Sequence, residues 1–241
     1  MNQCNLFSAE SLCRQAEWLA AARARALRTI GIAHRETILD LGCGCGAVTG
    51  ELSRRSGGEV VAFDCRRDVL AEHPQSFVGA ERICGDAIAL PFADASFDLV
   101  FCQFTLLWTD AAAVAQEIHR VIRPKGVLLA IEPDYGGMIE HPPEIATRDL
   151  WIAALTRAGA DPNVGRKLPG ILRAPDWNVE VDLLNRLMPP SPLRFDLLRE
   201  LPLTDAEKQR LSSLQAADAA IAESAKVVHL PMFIVIGERT E

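Results

Sequence analysis

The stretch Ile38–Gly50, "ILDLGCGCGAVTG", joins a short apolar run to a loop in which Gly42, Gly44 and Gly46 alternate with two cysteines. Glycine adopts positive φ without the steric cost of a Cβ atom, so such a loop lets the main chain approach a ligand closely. Ligands of open parallel sheets bind beyond the carboxyl ends of the strands. The stretch therefore predicts a first strand followed by a ligand-binding turn.

Apolar runs and helical periodicity alternate on both sides of this stretch, which is typical of a parallel sheet covered by helices on both faces. The predicted strands are 37–41, 59–64, 82–86, 97–103, 127–132, 178–184 and 227–237. The predicted helices are 8–30, 47–55, 67–72, 110–122, 144–159 and 193–224, with Ser8 as an N-cap and Gly31 as a stop. We expect an α/β fold with a doubly wound, mostly parallel seven-stranded sheet (Rossmann-like) and helical insertions after strands five and six.

The whole chain, 1–241, is interpreted as a single domain. Its core is predicted at about 31–132, completed by the late strands 178–184 and 227–237. The helical segments 8–30, 133–175 and 190–226 are expected to roof a substrate site.

Composition narrows the class of function. The net charge of −7 gives no broad attraction for a phosphate backbone, so a small-molecule substrate is favoured over nucleic acid. The arginines at 14, 23, 25 and 28 are interpreted as a solvated helix face. There is no apolar run of 18 residues and no secretory signal pattern, and the seven cysteines do not form a disulfide framework. We therefore expect a cytoplasmic protein without a membrane segment, and a homo-oligomer is left open.

Three ligands compete for the glycine loop. A P-loop is excluded because no Gly-Lys-Ser/Thr follows. The dinucleotide pattern G-x-G-x-x-G/A fits Gly42, Gly44 and Ala47, but Asp40 just before the loop suits an amine-bearing or cationic ligand better than a pyrophosphate. A closed zinc site needs four ligands, and the chain has no Cys-x-x-Cys, so no metal is predicted and the loop cysteines are interpreted as packing residues.

Four motifs in order make residues 37–132 resemble the class I S-adenosylmethionine-dependent methyltransferases, in particular the small-molecule, quinone-biosynthesis-like group. They are "ILDLGCGCG", "VVAFDCRRDVL", "GDAIALPFADASFDLVFC" and "EIHRVIRPKGVLLAIEPD". The resemblance implies S-adenosyl-L-methionine as cofactor, S-adenosyl-L-homocysteine as product, and methyl transfer to a small-molecule acceptor by direct displacement.

The resemblance also implies residue roles. The glycine loop would line the methionine and sugar of the cofactor, Asp40 would orient its amino group, Asp64 would accept from the ribose hydroxyls, and Asp86 would meet the adenine amino group. The full expected cofactor set is Asp40, Gly42, Cys43, Gly44, Gly46, Asp64, Cys65, Asp86, Ala87, Cys102 and Gln103.

The segment "EPDYGG" contains the candidate catalytic residues Glu132, Asp134 and Tyr135, which could orient a nucleophile or take its proton; a simple polar turn is the alternative. Many relatives have histidine where this chain has Leu107, which removes one candidate base. His141 follows strand five and could face the pocket.

Among the remaining candidates, Trp18, Trp151 and Trp177 could form an apolar lid, although tryptophans are more often core residues. "GRKLP", with Arg166 and Lys167, is interpreted as a solvated turn. Two further classes of function stay open: a nicotinamide-dependent oxidoreductase on the same sheet, and a non-catalytic cofactor binder.

Overall fold

The computed structural model describes residues 7–173, 176–184 and 191–240. Its strands are β1 (Thr37–Leu41), β2 (Glu59–Asp64), β3 (Ala80–Cys84), β4 (Phe97–Gln103), β5 (Ile122–Pro133), β6 (Ile139–His141), β7 (Trp177–Leu183), β8 (Val227–His229) and β9 (Met232–Arg239). Its α-helices are α1 (Ala9–Trp18), α2 (Ala20–Thr29), α3 (Thr49–Ser56), α4 (Arg67–Glu72), α5 (Ala111–Val121), α6 (Arg148–Arg157), α7 (Val164–Ile171), α8 (Leu193–Glu200) and α9 (Asp205–Ala220).

The main sheet has seven strands in the order β3-β2-β1-β4-β5-β9-β7. The pairs from β3 to β5 are parallel, and β9 is antiparallel to both β5 and β7. This confirms the expected mostly parallel Rossmann-like sheet. The order reverses between β1 and β4, which is the topological switch point at which such sheets bind ligands.

Both faces of the central strand β1 are buried, as its mainly apolar sequence predicts. Leu39 and Leu41 of β1 pack into one hydrophobic cluster, with α5, α6 and α8, whereas Ile38 packs into a second cluster with α2 and α3. The sheet is therefore covered on both sides, and the position left open to a ligand is the edge formed by the strand ends.

The structure corrects four boundaries. The predicted helix 8–30 is interrupted at Leu19, which is 1% exposed between α1 and α2. The predicted helix 193–224 is broken around Pro202, after which Thr204 and Glu207 form a capping box that starts α9. The predicted strand 227–237 divides into β8, which pairs with β6 in a separate ribbon, and β9.

The fourth correction concerns "GRKLP", which lies in helix α7 and is not a turn. Gly165 of this helix packs so closely on β5 that a Cβ atom would lie 2.8 Å from the carbonyl oxygens of Glu132 and Pro133. Tertiary packing thus favours a helix that local propensity, with Pro169 inside it, does not predict. In the described ranges, no helix is both long and apolar enough to cross a membrane.

Candidate active site

A cavity of about 680 Å³ lies at the carboxyl edge of the sheet. The strand ends form its floor, and Leu12 and Gln15 of α1 contribute to its roof. A volume of this size is within the range of small-molecule and cofactor sites. The lining includes the expected cofactor residues Asp40, Gly42, Cys43, Gly44, Asp64, Cys65, Asp86, Ala87 and Gln103.

The glycine loop has the backbone conformation that its sequence predicts. Gly42, Gly44 and Gly46 have φ of 72°, 53° and 78°, all in the left-handed region. A Cβ atom at Gly42 would lie 2.3 Å from the Thr105 side chain, and one at Gly46 would lie 2.8 Å from the Phe77 ring. Gly46 is buried against this ring, and the cavity lining in the described part of the chain does not include it.

The amide groups of this loop are already used within the protein. The N–H groups of Gly42 and Cys43 donate to the carbonyl of Phe63 at 2.8 and 3.1 Å. The Gly44 N–H donates to Asp64 Oδ2 at 2.9 Å. The loop therefore offers a ligand close main-chain approach, whereas the N–H groups of Gly42, Cys43 and Gly44 are engaged within the protein.

Asp40 lies at the end of β1, is 2% exposed and lines the cavity. Its Oδ2 atom accepts a hydrogen bond from Thr49 Oγ1 at 2.6 Å, at the start of α3. Burial raises the pKa of Asp40 to about 7, against the opposing effect of the Thr49 hydrogen bond, and the nearby Asp64 raises it further. The structure thus holds a buried carboxyl group that a positively charged ligand would stabilise in its ionised form.

Asp64 is the last residue of β2, and Asp86 lies two residues after the end of β3. Asp64 Oδ1 accepts from the Arg66 N–H at 2.9 Å, in addition to the Gly44 bond. Asp86 Oδ1 accepts from the Ile88 N–H at 3.1 Å, and both Asp86 and Ile88 are exposed at the cavity. Each carboxylate oxygen carries two lone pairs, so these bonds leave acceptor capacity for a ligand.

Arg23 is a residue whose position sequence reasoning missed. We expected it on a solvated helix face, but it is 4% exposed. Its guanidinium pairs with Glu51 at 2.8 Å and donates to the Ala16 carbonyl at 2.7 Å and to Gln103 Oε1 at 3.2 Å. Arg23 therefore joins α2 to α3 and positions Gln103, which lines the cavity.

The cysteines fall into separate environments. Cys102 is fully buried, burial raises the pKa of its thiol, and the cavity lining in the described ranges does not include it. Cys45 of the glycine loop lies 3.9 Å, sulfur to sulfur, from Cys13 of α1. In the part of the chain that the structure describes, no three potential metal ligands come together.

The three candidate catalytic residues have different surroundings. Glu132 is 0% exposed, and its Oε1 atom accepts from the N–H groups of Thr105 and Leu106, both at 2.8 Å. Asp134 is buried and paired with Arg166 of α7 at 2.6 Å. Among the described residues that line the cavity, Tyr135 is present, whereas Glu132 and Asp134 are not.

These surroundings bear on the proton chemistry of the site. Burial raises the pKa of Tyr135 well above its usual range, and Glu132 raises it further. Tyr135 is therefore a protonated phenol at neutral pH, suited to donating a hydrogen bond and not to removing a proton. Glu132 holds the loop after β4, which carries the cavity residues Thr105 and Leu107.

The other candidates are placed as follows. Trp151 is buried and stacks on Tyr135, with ring centroids 4.9 Å apart. Trp177 lies on the outer strand β7 against His119, so it does not belong to a lid. His141 is exposed in β6, and the cavity lining in the described part of the protein does not include it. Lys167 pairs with Asp161 at 2.6 Å.

Sequence comparison points to one family. The family model described as a methyltransferase domain matches residues 39–130. Malonyl-[acyl-carrier protein] O-methyltransferase of Enterobacter lignolyticus is 38% identical over 92 residues, which are 38% of this chain and 36% of that protein. Demethylmenaquinone methyltransferase of Staphylococcus aureus is 34% identical over 116 residues, 46% of this chain and 48% of that protein. The chain thus spans about half or less of the curated relatives it matches.

Structural comparison extends the likeness to most of the chain. The YcgJ protein of Bacillus subtilis superposes with a TM-score of 0.67 at 15% identity, covering 90% of this chain and 97% of that one. A geranyl diphosphate methyltransferase in complex with S-adenosylmethionine superposes with a TM-score of 0.58 at 14% identity, covering 95% and 85%. These two likenesses establish the fold, and the sequence matches show that residues 39–130 are similar to a methyltransferase domain.

Proposed function

We propose that this protein transfers a methyl group from S-adenosyl-L-methionine to a small-molecule acceptor by direct displacement, releasing S-adenosyl-L-homocysteine. The observation that carries the proposal is the convergence of three carboxylates from adjacent strand ends on one cavity. Asp40, Asp64 and Asp86 line it beside the glycine loop.

The chemistry of this donor set fits the proposed cofactor. Three carboxylates offer acceptors to an amino group, a sugar diol and a purine amine, and they attract the positive charge of a sulfonium. The same carboxylates would repel the pyrophosphate of a nicotinamide dinucleotide. The open main chain at Gly44, where a Cβ would meet no neighbour closer than 3.4 Å, adds space for close approach.

The bound cofactor would supply an electrophilic methyl group, so the tasks of the protein are alignment and exclusion of water. Holding the acceptor in a near-attack position contributes roughly 7–11 kcal/mol toward lowering the barrier. Tyr135, as a phenol facing the cavity, would donate a hydrogen bond to a polar atom of the acceptor. Glu132 would act as a positioning residue through the loop that carries Thr105 and Leu107.

The nature of the acceptor and the cellular setting complete the proposal. The names of two matched relatives refer to malonyl-[acyl-carrier protein] and demethylmenaquinone, which are chemically different acceptors. We infer a small molecule here, and not nucleic acid, because the net charge is −7. The free thiols of the described cysteines favour the reducing cytoplasm.

Calorimetric titration of S-adenosylhomocysteine into wild-type protein and the Asp64→Ala variant tests the proposal. Loss of the ribose hydrogen bonds to a charged group, each contributing about 1.5–3 kcal/mol, should weaken binding at least tenfold. Asp98→Ala is the matched control, because Asp98 also accepts from two backbone N–H groups, those of Glu36 and Thr37, at the opposite end of β1. Equal affinities in all three proteins would contradict the role of Asp64.

A thermal-shift comparison separates the classes of function. At one hundred times its dissociation constant, S-adenosylhomocysteine should raise the midpoint by about 5–10 °C. A shift with NAD and none with S-adenosylhomocysteine would favour an oxidoreductase. Binding without consumption of S-adenosylmethionine across a panel of acceptors would favour a non-catalytic binder.

A further inference from the structure

A second space, a recess of about 80 Å³, lies next to the main cavity. Gln15, Phe104 and Tyr135 line both spaces, so the two spaces adjoin at these side chains. A molecule whose reactive end occupied the main cavity beside Tyr135 could extend another part of its structure into the recess.

The walls of the recess are apolar and largely aromatic. Trp18 of α1, Met138, Trp151 of α6, Leu197 of α8 and Leu230 face it. Trp18 comes from the first helix, and Leu230 lies between β8 and β9. The other three side chains come from the helical insertions, whereas the expected cofactor residues come from the strand ends. Of the lining residues in the described part of the chain, only Phe104 lies within residues 39–130, so the recess is built largely by parts of the chain that the family match does not cover.

Arg194 is the only charged residue among the described residues that line the recess, and it is paired with Asp218. Its guanidinium donates to Asp218 at 2.6 Å and lies 4.4 Å from the centroid of the Phe195 ring. Lys226 pairs with the same carboxylate at 3.3 Å. The recess should prefer an apolar group because most of the side chains that line it are apolar.

The volume limits the size of that group. An apolar cavity of about 150 Å³ is known to hold benzene, so about half that volume suits roughly three carbon atoms. We propose that the recess binds an apolar substituent of about three carbons carried by the methyl acceptor, with the nucleophile of the acceptor in the main cavity. This assignment rests on the proposed methyltransferase function.

Binding of 4-methylphenol and 4-isopropylphenol, measured calorimetrically with and without saturating S-adenosylhomocysteine, tests the assignment. Each methylene buried in the recess should tighten binding about fourfold, so the isopropyl compound should bind about 16-fold more tightly than the methyl compound. Leu230→Trp would fill the recess, so the affinities of the two phenols should then agree within about twofold. Val181→Trp, on an exposed site of β7, is the matched control and should keep the ratio.

Met138→Ala provides a variant that enlarges the recess and remains informative if Leu230→Trp fails to fold. In this variant 4-butylphenol, which is longer than 4-isopropylphenol, should become the tighter ligand of the two. A wild-type ratio near one, absence of phenol binding, or a ratio that survives in folded Leu230→Trp would overturn the assignment. Retention of the phenol ratio without any binding of S-adenosylhomocysteine would instead count against the methyltransferase function and leave the recess intact.

Discussion

Replacing Glu132 with glutamine should make the protein less sensitive to pH, because Glu132 is a fully buried acid. Burial raises its pKa from 4.5 to about 7, against the opposing hydrogen bonds from the backbone after β4. A carboxyl group with a higher pKa in the folded chain binds its proton more tightly when folded. The resulting stability is fully present below pH 4.5 and is lost as the pH rises through 7.

The magnitude follows from the two pKa values. At 1.36 kcal/mol per pKa unit, the wild-type protein should lose about 2.5 kcal/mol through Glu132 between pH 5 and pH 8. Glutamine keeps an oxygen that can accept from Thr105 and Leu106 but does not ionise. The stability of Glu132→Gln relative to wild type should therefore be more favourable at pH 8 than at pH 5 by about 2.5 kcal/mol.

Urea denaturation of both proteins at pH 5 and pH 8 measures this double difference. Other buried acids, such as Asp40, titrate in both proteins, so their contributions to the double difference cancel. Glu59→Gln, at an exposed carboxylate, should show a double difference within about 0.5 kcal/mol. If Glu132→Gln behaves like this control, Glu132 ionises as a solvated group does and the argument from burial is refuted.

Two substitutions elsewhere test the loop and its support. Gly42→Ala would place a Cβ atom 2.3 Å from Thr105, at a position where φ is 72°. The substitution should therefore lower the melting temperature and weaken S-adenosylhomocysteine binding at least tenfold in calorimetry. Gly170→Ala, where a Cβ meets nothing within 4 Å, should leave both unchanged; similar losses in the two variants would contradict the packing argument. Arg23→Ala should destabilise the protein by about 1–3 kcal/mol in urea titrations, because the buried guanidinium bonds to Glu51, the Ala16 carbonyl and Gln103 are lost while Glu51 keeps its pair with Arg55. Arg25→Ala, at an exposed position of the same helix, should change stability by less than about 0.5 kcal/mol, and equal effects would restore the solvated-face interpretation.

Local patterns predicted the parts of the fold that depend on neighbours in the chain. The continuous apolar run of β1 and the positive φ of Gly42 and Gly44 are consequences of residue type within a few positions. The carboxylates Asp64 and Asp86 could be anticipated at the cavity because each is the last residue of a predicted strand. The pairing of the loop N–H groups of Gly42, Cys43 and Gly44 with β2, in contrast, joins segments that are remote in sequence.

Packing between distant segments decided the features that sequence reasoning missed. Arg23 belongs to a group of arginines that is typical of a solvated helix face. In the structure its guanidinium is instead buried against Glu51, Gln103 and the Ala16 carbonyl. Helix α7 contains a proline and forms against β5. The capping box at Thr204 and Glu207, in contrast, is a local signal that could have predicted the start of α9.

The sequence by itself determined the parallel sheet, the glycine turn and the acids at three strand ends, because hydrophobic period and backbone freedom are properties of short segments. Only the tertiary structure decided that Tyr135 faces the cavity while Glu132 supports the loop behind it, although the two are three positions apart. It also decided the recess between the cavity and the insertions, to which α1, α6 and α8 each contribute. The physical reason is that burial, and with it pKa and pocket shape, is set by which distant elements pack together, and no short segment encodes this.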